Sequence, residues 1–121
     1  MHKQNFKILL VDDSVEWINT HITYIKTFFE EEMFLIEIAT SAKDAFNLVV
    51  KLGHDPYDII ITDLEMEKIF DETYAGCWLV KNLINRKECQ NTKFIIISGS
   101  YNICDIANNF NVSYIAKNSL V

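Results

Sequence analysis

The sequence has 121 residues, 50% of them hydrophobic, which fits one folded domain and excludes a disordered chain. Its 11 Lys and Arg residues against 17 Asp and Glu residues give a net charge of −6. Direct nucleic-acid binding is disfavoured, because neutralising phosphates needs a basic surface. No apolar stretch approaches the roughly 18 residues of a membrane helix, and no secretory leader is recognisable. We therefore expect a cytoplasmic domain without membrane contact.

Short runs rich in β-branched residues alternate with longer stretches in which apolar residues recur at helical spacing. The short runs are continuously apolar, as in strands buried on both faces of a parallel sheet. Ser14 is a good N-cap for the first helix, Thr40 or Ser41 for the second, and Gly53 ends the second. In chain order the predicted elements are strand Phe6–Val11, a helix from about Val15 to about Glu32, strand Phe34–Ala39, helix Ala42–Leu52, strand Tyr57–Thr62, helix Ala75–Asn85, strand Phe94–Ile97, short helix Ile103–Asn109 and strand Val112–Ala116.

This alternation predicts right-handed crossovers and a single parallel sheet covered by helices, with residues 1–121 forming one domain. Leu64–Tyr74 is predicted to be an acid-rich loop. Only residues 118–121 follow the fifth strand, so the helix that usually covers the end of such a sheet is expected to be missing. The bare apolar surface would be on the order of several hundred Å², and we expect a second copy to cover it as a homodimer.

Polar side chains follow four of the predicted strands. Asp12 and Asp13 end the first strand, Asp63 the third and Ser98 the fourth, and Lys117 follows the fifth. Ligands of open parallel sheets bind at this carboxyl edge. Clustered carboxylates raise one another's pKa unless a cation offsets them, and oxygen-only ligand sets suit Mg²⁺. Together with a lysine and a hydroxyl, these groups favour phosphoryl transfer with Asp63 as the nucleophile.

Four motifs carry a resemblance to a known family. In order they are KILLVDDS, IIITDLEM, FIIISGS and YIAKN, at Lys7–Ser14, Ile59–Met66, Phe94–Ser100 and Tyr114–Asn118. Over essentially the whole chain the sequence resembles the receiver domain of two-component response regulators. The resemblance implies a flavodoxin-like, doubly wound sheet of five strands in the order 2-1-3-4-5.

The resemblance also implies a phosphoacceptor and a metal site. Asp63 would accept a phosphoryl group from a histidine kinase, a phosphotransfer protein or a small phosphodonor. Asp12, Asp13, Asp63 and the backbone carbonyl of Glu65 would hold Mg²⁺ as the cofactor. Such a domain catalyses only its own phosphorylation and dephosphorylation.

The remaining implied residues serve catalysis and switching. Ser98 would contact the phosphoryl group, Lys117 would pair with it, and Tyr114 would turn inward as Ser98 moves, changing the surface offered to a downstream protein. Gly99 fits the small residue expected beside the switch hydroxyl.

The sequence departs from the family pattern at three positions. Glu67 and Asn118 stand where the family has proline, and Gly76 comes later than the family's glycine. These departures leave open a receiver-like interaction module that has lost switching. A third hypothesis is a Mg²⁺-dependent phosphatase with Asp63 as nucleophile and Glu65 as acid and base.

Other chemistry-bearing residues are predicted to be structural. Trp17 and Trp78 are typical of core or half-buried anchors. The three histidines lack metal-ligand spacing and are predicted to be solvated or capping: His2, His21 and His54. Three cysteines without metal spacing predict free, buried thiols in a reducing compartment: Cys77, Cys89 and Cys104.

Overall fold

The computed structural model describes residues 6–28, 33–66, 74–100 and 102–117. Strands and helices alternate through these ranges, with a short 3-10 turn at Lys87–Cys89 before the fourth strand. None of the helices in this part of the chain is long and apolar enough to cross a membrane. The elements are β1 (Phe6–Val11), α1 (Val15–Phe28), β2 (Phe34–Ala39), α2 (Ala42–Leu52), β3 (Ile59–Asp63), α3 (Ala75–Leu83), β4 (Lys93–Ser98), α4 (Ile103–Phe110) and β5 (Ser113–Ala116).

The strands form one parallel sheet in the order β2-β1-β3-β4-β5, which confirms the predicted fold class. The order reverses between β1 and β3, and this reversal creates a crevice at the carboxyl ends of the strands. The register places Asp63 beside Ile97, and Ser98 beside Ala116. The last residues of β3, β4 and β5 therefore reach the same edge of the sheet.

Two apolar clusters hold the sheet between its helices. One lies under α2, α3 and α4 and includes Leu9 and Ile60, and the other lies under α1 and includes Leu10 and Ile61. Alternate residues of β1 and β3 thus point to opposite faces, as the continuous apolar runs predict. Each fully buried aliphatic side chain contributes about 1.5–3 kcal/mol by leaving water.

Beyond α1 the second face of the sheet carries an apolar groove of about 270 Å³. The uncovered sheet surface and the homodimer expected from the sequence stay predictions, which the presence of this groove does not test. Its lining is dominated by isoleucines of the strands: Ile8, Ile59, Ile61, Ile95, Ile97 and Ile115.

The predicted caps of α2 are confirmed. The Oγ of Ser41 accepts a hydrogen bond of 3.0 Å from the backbone N–H of Asp44. Gly53 ends the helix with φ 86°, a left-handed conformation that glycine adopts at little cost, and its N–H donates to the carbonyl of Val49. The predicted end of α1 near Glu32 lies outside the described residues, as do most of the acid-rich loop and Glu67.

Two element boundaries differ from the sequence prediction by two residues, and several others differ by one. β3 begins after Tyr57, whose carbonyl accepts a hydrogen bond of 2.8 Å from the hydroxyl of Thr92. α3 ends at Leu83 rather than Asn85, because the N–H of Arg86 donates to the carbonyl of Leu83 and closes a turn.

None of the three cysteines, all of which lie in the described residues, forms a disulfide, as predicted. Cys89 is buried and Cys77 is half-buried, but the prediction of a buried thiol is wrong for Cys104, which is exposed. Cys104 lies on the outer side of α4, the helix that buries its neighbour Ile103 and Ala107.

Candidate functional site

The structure brings the three predicted carboxylates together at the carboxyl edge of the sheet. Ligand oxygens of Asp12, Asp13 and Asp63 all lie within 4.8 Å of one another. Asp12 and Asp63 are buried, whereas Asp13 is exposed. The edge therefore concentrates negative charge in a place that is open to solvent on one side.

Asp12 is fixed through both of its carboxylate oxygens. Oδ1 accepts a hydrogen bond of 3.0 Å from the backbone N–H of Ser14, and Oδ2 lies 3.1 Å from Nε2 of His21. The prediction that His21 is solvated or capping is wrong, since this side chain is only 2% exposed. It lies on the inner side of α1 with Ile18, and this helical phase is the signal in the sequence that could have found it.

Asp63 faces an ammonium group as well as the other acids. Nζ of Lys117 lies 3.0 Å from Oδ1 of Asp63 and forms an ion pair with it. Burial raises the pKa of Asp63 to about 6, and the charge of Asp12 adds to the rise while Lys117 opposes it. The single positive charge of Lys117 thus does not balance the negative charges of the three clustered carboxylates.

Gly76 allows α3 to begin directly against the end of β3. Its N–H donates a hydrogen bond of 3.0 Å to the carbonyl of Leu64, and a Cβ at this position would overlap the carbonyl oxygen of Asp63. This glycine lies later in the chain than the family pattern implies, yet it makes a close approach to the backbone of the strand end.

Ser98 is engaged by a neighbouring acid. Its Oγ donates to Oε1 of Glu65 at 3.2 Å and accepts from the N–H of Ser100 at 2.9 Å. The hydroxyl of Ser100 donates to Oε2 of Glu65 at 2.8 Å. Sequence reasoning assigned the backbone carbonyl of Glu65 to the metal ion and, in the phosphatase hypothesis, its carboxylate to acid–base chemistry, but it missed this bridge of the carboxylate between two hydroxyls.

Two aromatic residues complete the neighbourhood. Nζ of Lys117 lies 4.5 Å from the ring centroid of Trp17, which is half-buried as predicted. Tyr114, the predicted switch residue, is 43% exposed in this structure. Contact with the thiol of Cys104 raises the pKa of the Tyr114 hydroxyl. His54 is exposed as predicted, and His2 lies outside the described residues.

The residues fit a hard divalent cation. Asp12, Asp13 and Asp63 offer only oxygen ligands, the preference of Mg²⁺. Oδ1 of Asp63 is buried with Nζ of Lys117 at 3.0 Å, and a carboxylate oxygen has two lone pairs, so one remains for a metal ion. The two bonds to Asp12 still leave each of its oxygens a second lone pair.

Comparison with known proteins identifies the fold. No protein-family model matches the sequence, and no curated protein matches it. A CheY-like receiver domain from Methylobacillus flagellatus matches with a TM-score of 0.71 and 22% identity, covering 94% of this chain and 87% of that chain. The phosphorylated cyanobacterial phytochrome response regulator RcpA matches with a TM-score of 0.77 and 17% identity, covering 94% and 81%.

A third solved structure is the Mn²⁺-bound form of the response regulator Rcp1. It matches with a TM-score of 0.74 and 18% identity, covering 93% of this chain and 81% of that chain. The chain therefore has the fold of response regulator receiver domains.

Proposed function

We propose that this domain is a phosphoacceptor of a two-component signalling system, with Asp63 as the residue that is phosphorylated. The observation that carries the proposal is the grouping of Asp63 with Asp12, Asp13 and the ammonium of Lys117 at one edge of the sheet. The donor would be a phosphohistidine of a kinase or phosphotransfer protein, or a small acyl phosphate. Compared structures described as phosphorylated and as Mn²⁺-bound support this choice.

In the transfer step a carboxylate oxygen of Asp63 forms a bond to phosphorus. The bond between phosphorus and the donor's nitrogen or oxygen breaks, and its electron pair leaves with the imidazole or the acetate. Lys117 lies close enough to Asp63 to pair with an oxygen of the transferred group. Asp12, Asp13 and Asp63, with the carbonyl of Glu65 as a further proposed ligand, would hold Mg²⁺, whose charge would offset phosphate repulsion.

The response to phosphorylation would begin at Ser98. Its hydroxyl now donates to Glu65, so it must release that carboxylate before it donates to a phosphoryl oxygen. The new group adds about −1.5 to −2 charge, by analogy with other phosphorylated residues. We propose that Tyr114, now exposed, repacks in response and changes the surface of α4 and β5 that a downstream protein binds.

The phosphatase hypothesis has less support. It requires Glu65 as acid and base, but the carboxylate of Glu65 already accepts hydrogen bonds from Ser98 and Ser100. We therefore propose that the domain acts only on its own phosphorylation state and is not an enzyme for other substrates.

The test is incubation with acetyl phosphate and Mg²⁺, followed by intact mass spectrometry. We expect the mass of one added phosphoryl group, lost when the divalent ion is chelated and lost in Asp63→Asn. Asp105→Asn, which changes an exposed carboxylate on α4, is the matched control and should behave as wild type. Equal uptake by Asp63→Asn would refute the assignment, and no uptake by the wild type would favour an interaction module without switching.

A further inference from the structure

Two rings on α1 connect opposite sides of the acidic site. Trp17 and His21 are one helical turn apart and stack with ring centroids 5.7 Å apart and an interplanar angle of 27°. Each ring of this pair contacts a different charged residue of the site. Nε2 of His21 contacts Oδ2 of Asp12, and the ring of Trp17 contacts Nζ of Lys117.

We propose that Trp17 and His21 act together as positioning residues, a two-ring support that holds Asp12 for the divalent ion and Lys117 for the phosphoryl group. The Trp17 half rests on the proposed function, whereas the His21 half requires only that the carboxylates bind a metal ion. Both residues act through a neighbour, since neither is a ligand in the carboxylate cluster.

The argument for His21 starts from its two ring nitrogens. An ionised Asp12 can only accept hydrogen bonds, so Nε2 of His21 must carry a proton and donate it to Oδ2. Nδ1 is buried and has no hydrogen-bond partner among the described residues. Burying an unpaired nitrogen is unfavourable, and an apolar side chain would avoid that cost. What an apolar side chain lacks is the N–H that orients the carboxylate of Asp12, as outer partners orient metal ligands elsewhere.

The argument for Trp17 starts from the flexibility of Lys117. A lysine ammonium sits on a four-carbon stem with many rotamers, and Lys117 follows a strand of only four residues. Nζ contacts both the ring of Trp17 and Oδ1 of Asp63, and these two contacts limit the rotamers open to Lys117. Trp17 is itself held, because its backbone N–H donates to Oγ of Ser14 at 3.3 Å.

The His21 half is tested by calorimetric titration with Mn²⁺. His21→Gln keeps an N–H donor at similar reach, and His21→Leu removes it. We expect His21→Leu to bind Mn²⁺ at least about tenfold more weakly than wild type, and His21→Gln to recover most of the affinity. His54→Leu changes an exposed histidine and should bind as wild type. Wild-type affinity in His21→Leu, or equal weakening in His21→Gln, would overturn the role of His21.

The Trp17 half is tested with Trp17→Phe, which keeps an aromatic face, and Trp17→Leu, which removes it. We expect phosphate uptake from acetyl phosphate to slow about fivefold in Trp17→Leu and less in Trp17→Phe. Phosphate uptake by Trp17→Leu at the wild-type rate would overturn the proposed role of Trp17 in positioning Lys117.

A nuclear magnetic resonance measurement separates this inference from the proposed function. The side-chain protons of Lys117 should show a ring-current shift that disappears in Trp17→Leu, whether or not phosphate is accepted. A wild-type protein that accepts no phosphate but shows this shift and the His21 effect would refute the proposed function alone. An unchanged Lys117 shift in Trp17→Leu would refute the support alone.

Discussion

The backbone of Gly76 lies against the backbone of Asp63, so closely that a Cβ on the glycine would overlap the aspartate's carbonyl oxygen and approach Cα of Leu64 to 2.8 Å. Both obstacles are main-chain atoms, which a rotamer change cannot move aside. The first turn of α3 and the end of β3 are therefore locked together at Asp63, the proposed acceptor.

Gly76→Ala should reduce the free energy of unfolding by about 2–3 kcal/mol, because the added methyl group forces the two backbones apart. Gly99→Ala is the matched control, since the nearest atom to its Cβ is Cδ of Lys117 at 4.0 Å. We expect that control to change stability by less than about 0.5 kcal/mol. Urea unfolding measures both, and equal losses at the two glycines would contradict the packing described for Gly76.

The raised pKa of Asp63 predicts that its ionisation lowers the free energy of unfolding as the pH rises. The pKa is about 6 in the folded protein against an ordinary value of 3.8, so between these values the folded state binds this proton more tightly than the unfolded chain. The contribution of Asp63 to the free energy of unfolding must then fall as pH rises from about 4 to about 6, and it stays low above that range.

In metal-free buffer, Asp63→Asn should therefore be more stable than wild type at pH 7, by on the order of 2 kcal/mol, and should lose most of that advantage near pH 4. Denaturant unfolding at the two pH values measures the difference. Asp105→Asn should show no comparable pH-dependent gain. An Asp63→Asn variant that is less stable than wild type at pH 7 would contradict the charge balance described for the site.

Asp13 provides the cleanest test of metal binding. It is exposed and offers one of the three clustered carboxylates, so Asp13→Asn should leave the metal-free melting temperature nearly unchanged. Wild type should melt at a higher temperature as Mg²⁺ is added, because an ion that binds only the folded state stabilises it. That increase should be largely lost in Asp13→Asn. Equal increases in both proteins would show that the ion binds elsewhere.

Glu65 should restrain phosphorylation. Its carboxylate accepts the hydroxyl of Ser98, and its charge helps to raise the pKa of Asp63. Glu65→Gln removes the charge while keeping an oxygen acceptor, so the initial rate of uptake from acetyl phosphate should rise about threefold to tenfold. Ser100→Ala removes only the second hydroxyl contact and serves as the comparison. A slower rate in Glu65→Gln would mean that the carboxylate assists the reaction.

The parallel sheet and the grouping of carboxylates could be predicted because they depend on chain order and strand ends, whereas the strand order came from the resemblance to receiver domains. Asp12 and Asp63 each follow a buried apolar run, and parallel pairing brings the ends of such runs to one edge. The helices could be placed from periodicity and caps, although α3 ended earlier than predicted.

Contacts that depend on side-chain direction could not be predicted in the same way. His21 lies among the inner residues of α1, but its reach to Asp12 is set by how that helix packs on β1. The bridge from Glu65 to Ser98 depends on the rotamer of Glu65, which lies in a loop. The exposure of Tyr114 depends on the rotamer of that side chain on β5. Residue type indicates what such a side chain can do, whereas packing decides which partner it meets.

The most direct measurement locates the phosphoryl group by its chemistry. An acyl phosphate is reduced by borohydride to an alcohol, so treatment after incubation with acetyl phosphate and Mg²⁺ converts a phosphorylated aspartate to homoserine. Peptide mass spectrometry should find homoserine at position 63 and at no other aspartate, with Asp12 and Asp13 as internal controls. Homoserine elsewhere, or none in protein that has gained a phosphoryl group, would contradict Asp63 as the acceptor.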